Sequence, residues 1–235
     1  MITLRRSGER HHDRRRKHEA WLTFDAKNRD DPLADGFGSL QILDEDRLSP
    51  GADLSRRPDS DAEIVIYVCS GALAYDDSTG RAGVIQAGEF RRTTAGRRRR
   101  QHEANASRSD SAHVFQIWLR ATQATVDRGR EQKRFSTAER RGELCVVASR
   151  DARRGSLRLN QDAAVYSAML EPGRHVVHEF APGRSAWLHI VQGDATFGDI
   201  VLTTGDGVGV TAERAVSLTA RVRTEILLLD LGARA

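Results

Sequence analysis

Apolar or alternating runs of strand length recur along the whole chain, and long stretches with helical periodicity are scarce. The clearest runs are Ile64-Val65-Ile66-Tyr67-Val68-Cys69, His113-Val114-Phe115-Gln116-Ile117-Trp118-Leu119 and Ala163-Ala164-Val165-Tyr166-Ser167-Ala168-Met169-Leu170. Ala186-Trp187-Leu188-His189-Ile190-Val191 and Glu225-Ile226-Leu227-Leu228-Leu229-Asp230-Leu231 follow the same pattern. Short runs bounded by turn residues suit strands, because successive side chains point to opposite faces of a sheet. The turn signals are Asp77-Ser78-Thr79-Gly80, Glu171-Pro172-Gly173 and Ala181-Pro182-Gly183. This pattern predicts an all-β sandwich or barrel with its edges closed or covered.

The pattern occurs twice. Residues 64–90 read as a strand, Gly71, a second strand, a polar turn, and Val84-Ile85-Gln86-Ala87-Gly88-Glu89-Phe90. Residues 186–208 read as a strand, Gly193, a second strand, and Val201-Leu202-Thr203-Thr204-Gly205-Asp206-Gly207-Val208. A hairpin followed by Gly-Glu or Gly-Asp and another strand therefore repeats, which predicts two similar barrels in tandem. At 235 residues the chain can hold two domains of ordinary size. The expected division is 1–130 and 131–235, with the polar stretch Asp127 to Arg141 as the linker.

No apolar run approaches the length of a membrane-spanning helix, and Met1-Ile2-Thr3-Leu4-Arg5-Arg6 lacks a secretory signal's apolar segment. The two cysteines, Cys69 and Cys145, sit in apolar runs and form neither a disulfide framework nor a zinc motif. A cytoplasmic protein is expected, and a monomer. Arginine is clustered in Arg14-Arg15-Arg16-Lys17 and in Arg97-Arg98-Arg99-Arg100. Such runs can attract polyanions, yet no nucleic-acid-reading motif accompanies them, so nucleic acid is not the expected partner. His11, His12 and His18 read as surface residues of a charged N-terminal segment, and His175, His178 and His189 as structural histidines.

The order Trp21-Leu22-Thr23-Phe24, Gly36-Phe37-Gly38, Asp44-Glu45-Asp46-Arg47, Gly71-Ala72-Leu73, Gly88-Glu89, Ala95-Gly96, Glu103, Asn105 and Gln116-Ile117-Trp118 resembles the pirin family. The resemblance continues through Glu131-Gln132-Lys133-Arg134-Phe135, Ser149-Arg150-Asp151 and Asn160-Gln161-Asp162 to Leu229-Asp230-Leu231. It implies a bicupin fold: two tandem cupin barrels of the double-stranded β-helix, or jelly-roll, type. It also implies a metal in the N-terminal barrel, usually iron on three histidines and one glutamate, with none in the C-terminal barrel. Bacterial members of the family include quercetin 2,3-dioxygenases.

Laid on this chain, the family's histidine positions fall on Arg57, Asp59 and Gln101, and its glutamate falls on Glu103. Neutral imidazoles and a carboxylate suit iron. A guanidinium has no free lone pair and keeps its charge. Arg57 is therefore expected to replace an ion by pairing with Glu103 or Asp59. No metal cofactor is expected; if one binds, its ligands would be Glu103, Asp59 and His102, the last needing a bulge to turn it inward. The alternative is iron or another divalent metal serving a quercetinase-like enzyme. Arg97, Arg98, Arg99 and Arg100 fall at the pocket mouth, which predicts a small acidic ligand or a protein partner.

Overall fold

The structure is a computed structural model that describes residues 1–54, 62–77, 80–95, 101–121 and 129–232. The chain divides into two compact units. One contains His11–Gly36 and Leu40–Arg134; the other contains Met1–Arg10, Phe37–Ser39 and Phe135–Ala235. Both are built almost wholly of antiparallel strands, and both are cupin barrels. These are the two tandem all-β barrels that the repeat predicts, and the bicupin fold that the family resemblance implies.

Numbered along the chain, β1 (Ile2–Arg5) belongs to the second unit. The first unit holds β2 (His11–Arg15), β3 (His18–Leu22), β4 (Leu40–Leu48), β5 (Ala62–Ser70), β6 (Ala72–Asp77) and β7 (Ala82–Gln86). It continues with β8 (Glu89–Ala95), β9 (Gln101–Asn105), β10 (Ala112–Arg120) and β11 (Arg130–Arg134). Its larger sheet runs β11-β8-β5-β10-β4-β3-β2, and its smaller sheet runs β7-β6-β9. Ala62, Ile64, Ile66 and Val68 from β5 meet Ala112, Val114 and Trp118 from β10, Leu73 from β6 and Ile85 from β7 in one apolar cluster. Strand alternation sends Glu63, Val65 and Tyr67 to the opposite face, where they are buried too. The long apolar run of β5 follows from this burial on both faces.

The second unit holds β12 (Cys145–Ser149), β13 (Leu157–Arg158), β14 (Ala163–Leu170), β15 (His175–Glu179) and β16 (Ser185–Gln192). After these come β17 (Asp194–Phe197), β18 (Ile200–Thr203), β19 (Gly207–Thr211), β20 (Ala215–Ala220) and β21 (Thr224–Leu231). Its sheets run β1-β19-β16-β21-β14-β12-β13 and β15-β20-β17-β18.

The repeat is exact enough to compare atom by atom. Gly71 links β5 to β6 and Gly193 links β16 to β17, both with positive φ. A Cβ at Gly71 would lie 2.7 Å from the Ser111 carbonyl oxygen, and one at Gly193 would lie 2.4 Å from that of Arg223. Only glycine tolerates both that conformation and that approach. Likewise the Gly88 N–H donates to the Val68 carbonyl and the Gly205 N–H to that of Ile190, each at 2.8 Å.

The unit boundaries differ from a single cut at residue 130. Arg130–Arg134 is no linker: it forms β11, which pairs with β8 at the edge of the first barrel's sheet. The corresponding edge of the second barrel is covered by β1, which pairs with β19. The first sheet thus takes its outermost strand from the chain just after its own repeat, and the second takes its outermost strand from the N-terminus, which covers edges that would otherwise expose unpaired backbone. Beyond β11 the chain forms a short helix, Thr137–Arg140, capped by Ser136 and Glu139.

Asp206 fastens the N-terminal segment within the second unit. Its buried carboxylate accepts from the Ser7 backbone at 2.7 Å, from the Thr203 backbone at 3.0 Å and from Arg6 at 2.9 Å. Burial raises its pKa, but these bonds outweigh that effect and hold it below the ordinary value of 3.8. A depressed carboxyl stabilises the fold above that ordinary value, and the contribution is lost as pH falls through the folded-state value. Asp206→Asn is therefore expected to cost about 1.5–3 kcal/mol in urea unfolding at neutral pH. The deficit against the unmodified protein should shrink in acid.

Candidate functional site

In the first barrel, β6 and β9 pair without a register shift, which sets Tyr75 opposite Glu103, Asp77 opposite Gln101 and Leu73 opposite Asn105. Leu73 belongs to the core cluster, so Tyr75, Asp77 and Glu103 share its inward face. On β8, Arg91 stands opposite Ile66 and Thr93 opposite Ile64. Directly opposed residues share a face, and both isoleucines lie in the core cluster. Arg91 therefore enters the barrel, while its neighbour Arg92 turns the other way.

Arg91 is 1% exposed and Glu103 12%. The Arg91 Nη1 donates to Glu103 Oε1 at 3.2 Å, and the guanidinium lies 3.5 Å from the Tyr75 ring centroid. Burial pushes the Arg91 pKa down, and the charge of Glu103 opposes that shift. An ion pair and a cation–π contact together compensate a cation removed from water. A second pair lies beside it. Arg130 on β11 stands opposite Thr93 and makes an ion pair with Asp77, whose side chain is 1% exposed. On the opposite face, Arg92 is held by Glu131 at 3.0 Å, by the Gly129 carbonyl at 2.9 Å and by Glu63 at 3.7 Å.

A further polar layer crosses the same barrel. Asp46 bonds His18 at 2.7 Å and accepts from the Gln116 amide at 2.8 Å, and Trp118 donates to Gln116 at 3.3 Å. His18 is thus no surface residue, unlike His11 and His12, which are exposed. His12 stacks on Trp21 at 4.7 Å.

Arg57, Asp59, Arg97, Arg98, Arg99 and Arg100 lie outside the described residues. The pairing expected between Arg57 and Glu103 therefore lies outside the described residues, among which Arg91, a residue the sequence pattern does not single out, is paired with Glu103. Gln101 begins β9 with its backbone opposite Asp77. No bulge turns His102 inward. It points outward, where it bonds Asp53 at 3.0 Å and Asp76 at 3.3 Å.

In the second barrel, His178 faces inward opposite Val216, while His175 is exposed and bonds Thr219. His178 bonds Asp230 at 2.8 Å, and Arg184 donates to the other oxygen of the same carboxylate at 2.5 Å. Burial raises the Asp230 pKa, but the bonds from His178 and Arg184 outweigh it and leave the group below its ordinary value. Among the described residues, no group of three or more His, Cys, Asp or Glu side chains is placed to hold a metal.

Residues 4–119 match the family profile described as Pirin, and residues 146–231 match the Quercetinase C-terminal cupin domain. A quercetin 2,3-dioxygenase of Escherichia coli K12 is 34% identical over 231 residues, 98% of this chain and 99% of that protein. Among solved structures, YhhW from Escherichia coli superposes with a TM-score of 0.91 at 33% identity, covering 99% of this chain and 98% of that one. A nickel(II) complex of the bacterial pirin YhhW gives a TM-score of 0.90 at 33% identity, covering 99% of this chain and 100% of that one. The chain belongs to the pirin family.

A family metal held by three histidines and a glutamate does not fit the residues this chain carries. The positions that the resemblance assigns to histidine hold Arg57, Asp59 and Gln101. The remaining carboxylate, Glu103, already has a buried guanidinium against it. A cation at that carboxylate would lie beside the fixed charge of Arg91, which is bonded to Glu103 Oε1.

Arg91→Ala should destabilise the protein by about 3–5 kcal/mol in denaturant unfolding, because it takes from a largely buried carboxylate the guanidinium bonded to it. Glu103→Gln, which removes the charge and keeps the shape, should cost less. His102 gives a pH test. The hydrogen bond with Asp53 raises its pKa most, with burial opposing and Asp76 adding to the rise. A raised histidine stabilises the fold fully below its ordinary 6.5 and loses that contribution as pH climbs through the folded-state value. An NMR titration should place the His102 midpoint above 6.5, and Asp53→Asn should move it down.

Proposed function

We propose that this pirin-family bicupin works by binding, with a small acidic ligand or a protein partner as its target, and that it has left the metal-dependent dioxygenase chemistry behind. The observation that supports this reading is the Arg91–Glu103 pair. A metal-activated oxygenase needs a carboxylate free to coordinate and open positions for substrate and oxygen. Here a fixed cation stands where a metal would bind Glu103, and it cannot leave by losing its proton. Tyr75 covers one face of that cation. Barrel interiors lined by apolar side chains and a few directed polar groups suit small-molecule recognition, and the inward Arg91, Arg130 and Tyr75 beside the apolar cluster are groups of that kind. The reading includes action in the cytoplasm as a monomer. No helix among the described residues is long and apolar enough to cross a membrane.

The similarity to a quercetin 2,3-dioxygenase and to a nickel-bound pirin favours a second reading, an oxidoreductase of the quercetinase type using iron or another divalent metal through an unusual ligand set. Metal analysis and turnover separate the two. Protein purified without chelators should contain only traces of iron, nickel, copper and zinc, and should convert quercetin no faster than its Glu103→Ala variant. One tightly held equivalent of metal, with turnover that Glu103→Ala abolishes, would establish the second reading instead.

A further inference from the structure

Arg91 and Arg130 present more hydrogen-bond donors inside the first barrel than their carboxylate partners use. Arg91 spends Nη1 on Glu103, yet its Nη2 is buried with no hydrogen-bond partner among the described residues. Arg130 makes its ion pair with Asp77, and its Nε and Nη1 are likewise buried without hydrogen-bond partners. The two side chains come from neighbouring strands. Arg130 stands opposite Thr93, two residues along β8 from Arg91, so they are diagonal neighbours on one inward face. Buried donors are nearly always satisfied, and leaving one bare costs more than an average hydrogen bond contributes. Unsatisfied donors of two converging guanidinium groups mark a place where an acceptor belongs.

We propose that the interior of the first barrel binds a small monocarboxylate through the unused donors of Arg91 and Arg130. This inference rests on the reading that a cation of the protein, not a metal, occupies the Glu103 site. The planar fork of a guanidinium matches a carboxylate, and two such groups can share its two oxygens. Arg91 and Arg130 each already face a resident carboxylate, Glu103 and Asp77. The inference therefore rests on directed donors rather than on net charge, and a dianion is disfavoured beside two resident carboxylates. Ile64, Ile66, Leu73 and Ile85 form apolar walls on the same interior. They select a carboxylate with a compact apolar body over a bare inorganic anion.

The full-length protein tests this by calorimetric titration with propionate, benzoate and inorganic phosphate at constant ionic strength. Saturable binding of propionate or benzoate at one site per chain, at least about tenfold tighter than phosphate, is the expected result. Arg130→Gln should weaken that binding by about tenfold or more, in line with loss of a charged hydrogen bond, while the exposed Arg81→Gln leaves it unchanged. If Arg130→Gln does not fold, crystals of the unmodified protein soaked in propionate decide. The carboxylate should then lie within hydrogen-bond distance of Arg91 Nη2 and Arg130. No saturable binding, phosphate binding as tight as propionate, affinity unmoved by Arg130→Gln, or a soaked carboxylate seated elsewhere each overturns the proposal. None of these results revives a metal at Glu103. That reading fails separately, on the metal content of the purified protein.

Discussion

Glu103 stands on the inward face of a barrel whose other inward residues are largely aliphatic, and a carboxylate there requires a cation within reach. Arg91 meets that requirement from the neighbouring sheet, with Tyr75 under its guanidinium. Desolvation and attraction nearly cancel for such a pair, so its presence adds little net stability, but removing either partner costs more than the pair contributes. The pair also bears on the chemistry proposed for the barrel. A metal bound to Glu103 would lie beside the fixed charge of Arg91, and that repulsion opposes its binding. The register of β6 with β9, and of β8 with β5, fixes which residues converge there.

The two barrels are variants of one plan, and their differences lie where their strands are borrowed. β8, β5, β10 and β4 of the first unit correspond in sheet order to β19, β16, β21 and β14 of the second. Beyond β8 the first sheet takes β11, and beyond β19 the second takes β1. The buried Asp206 secures that exchange by gathering hydrogen bonds from Ser7 and Arg6. The inward polar groups differ as well. The first barrel carries arginine–carboxylate pairs and the His18–Asp46–Gln116 layer; the second carries His178, Asp230 and Arg184.

The fold was legible because strand periodicity and turn glycines are local signals. Gly71 and Gly193 announce the same hairpin in both halves, and the structure gives them the same left-handed conformation for the same steric reason. The site was legible only in part. Glu103 and the outward turn of His102 follow from motif and alternation. Arg91 does not, because Arg91-Arg92 reads as an ordinary charged pair in sequence. Alternation says that one of the two points inward, and only the pairing of β8 with β5 says which. His18 misled for a related reason: it lies in a strongly charged segment, and its partner Asp46 is distant in sequence. The stretch Asp127 to Arg141 read as a linker because β11 is polar, as an edge strand paired on one side can be.

Crystals grown in the presence of nickel, with an anomalous difference map recorded at the nickel edge, test the central claim most directly. The account predicts no anomalous peak within coordination distance of either Glu103 carboxylate oxygen, with the Arg91 guanidinium still hydrogen-bonded to Glu103 and seated on Tyr75. A nickel peak bonded to Glu103, with Arg91 swung away from the carboxylate, would contradict it.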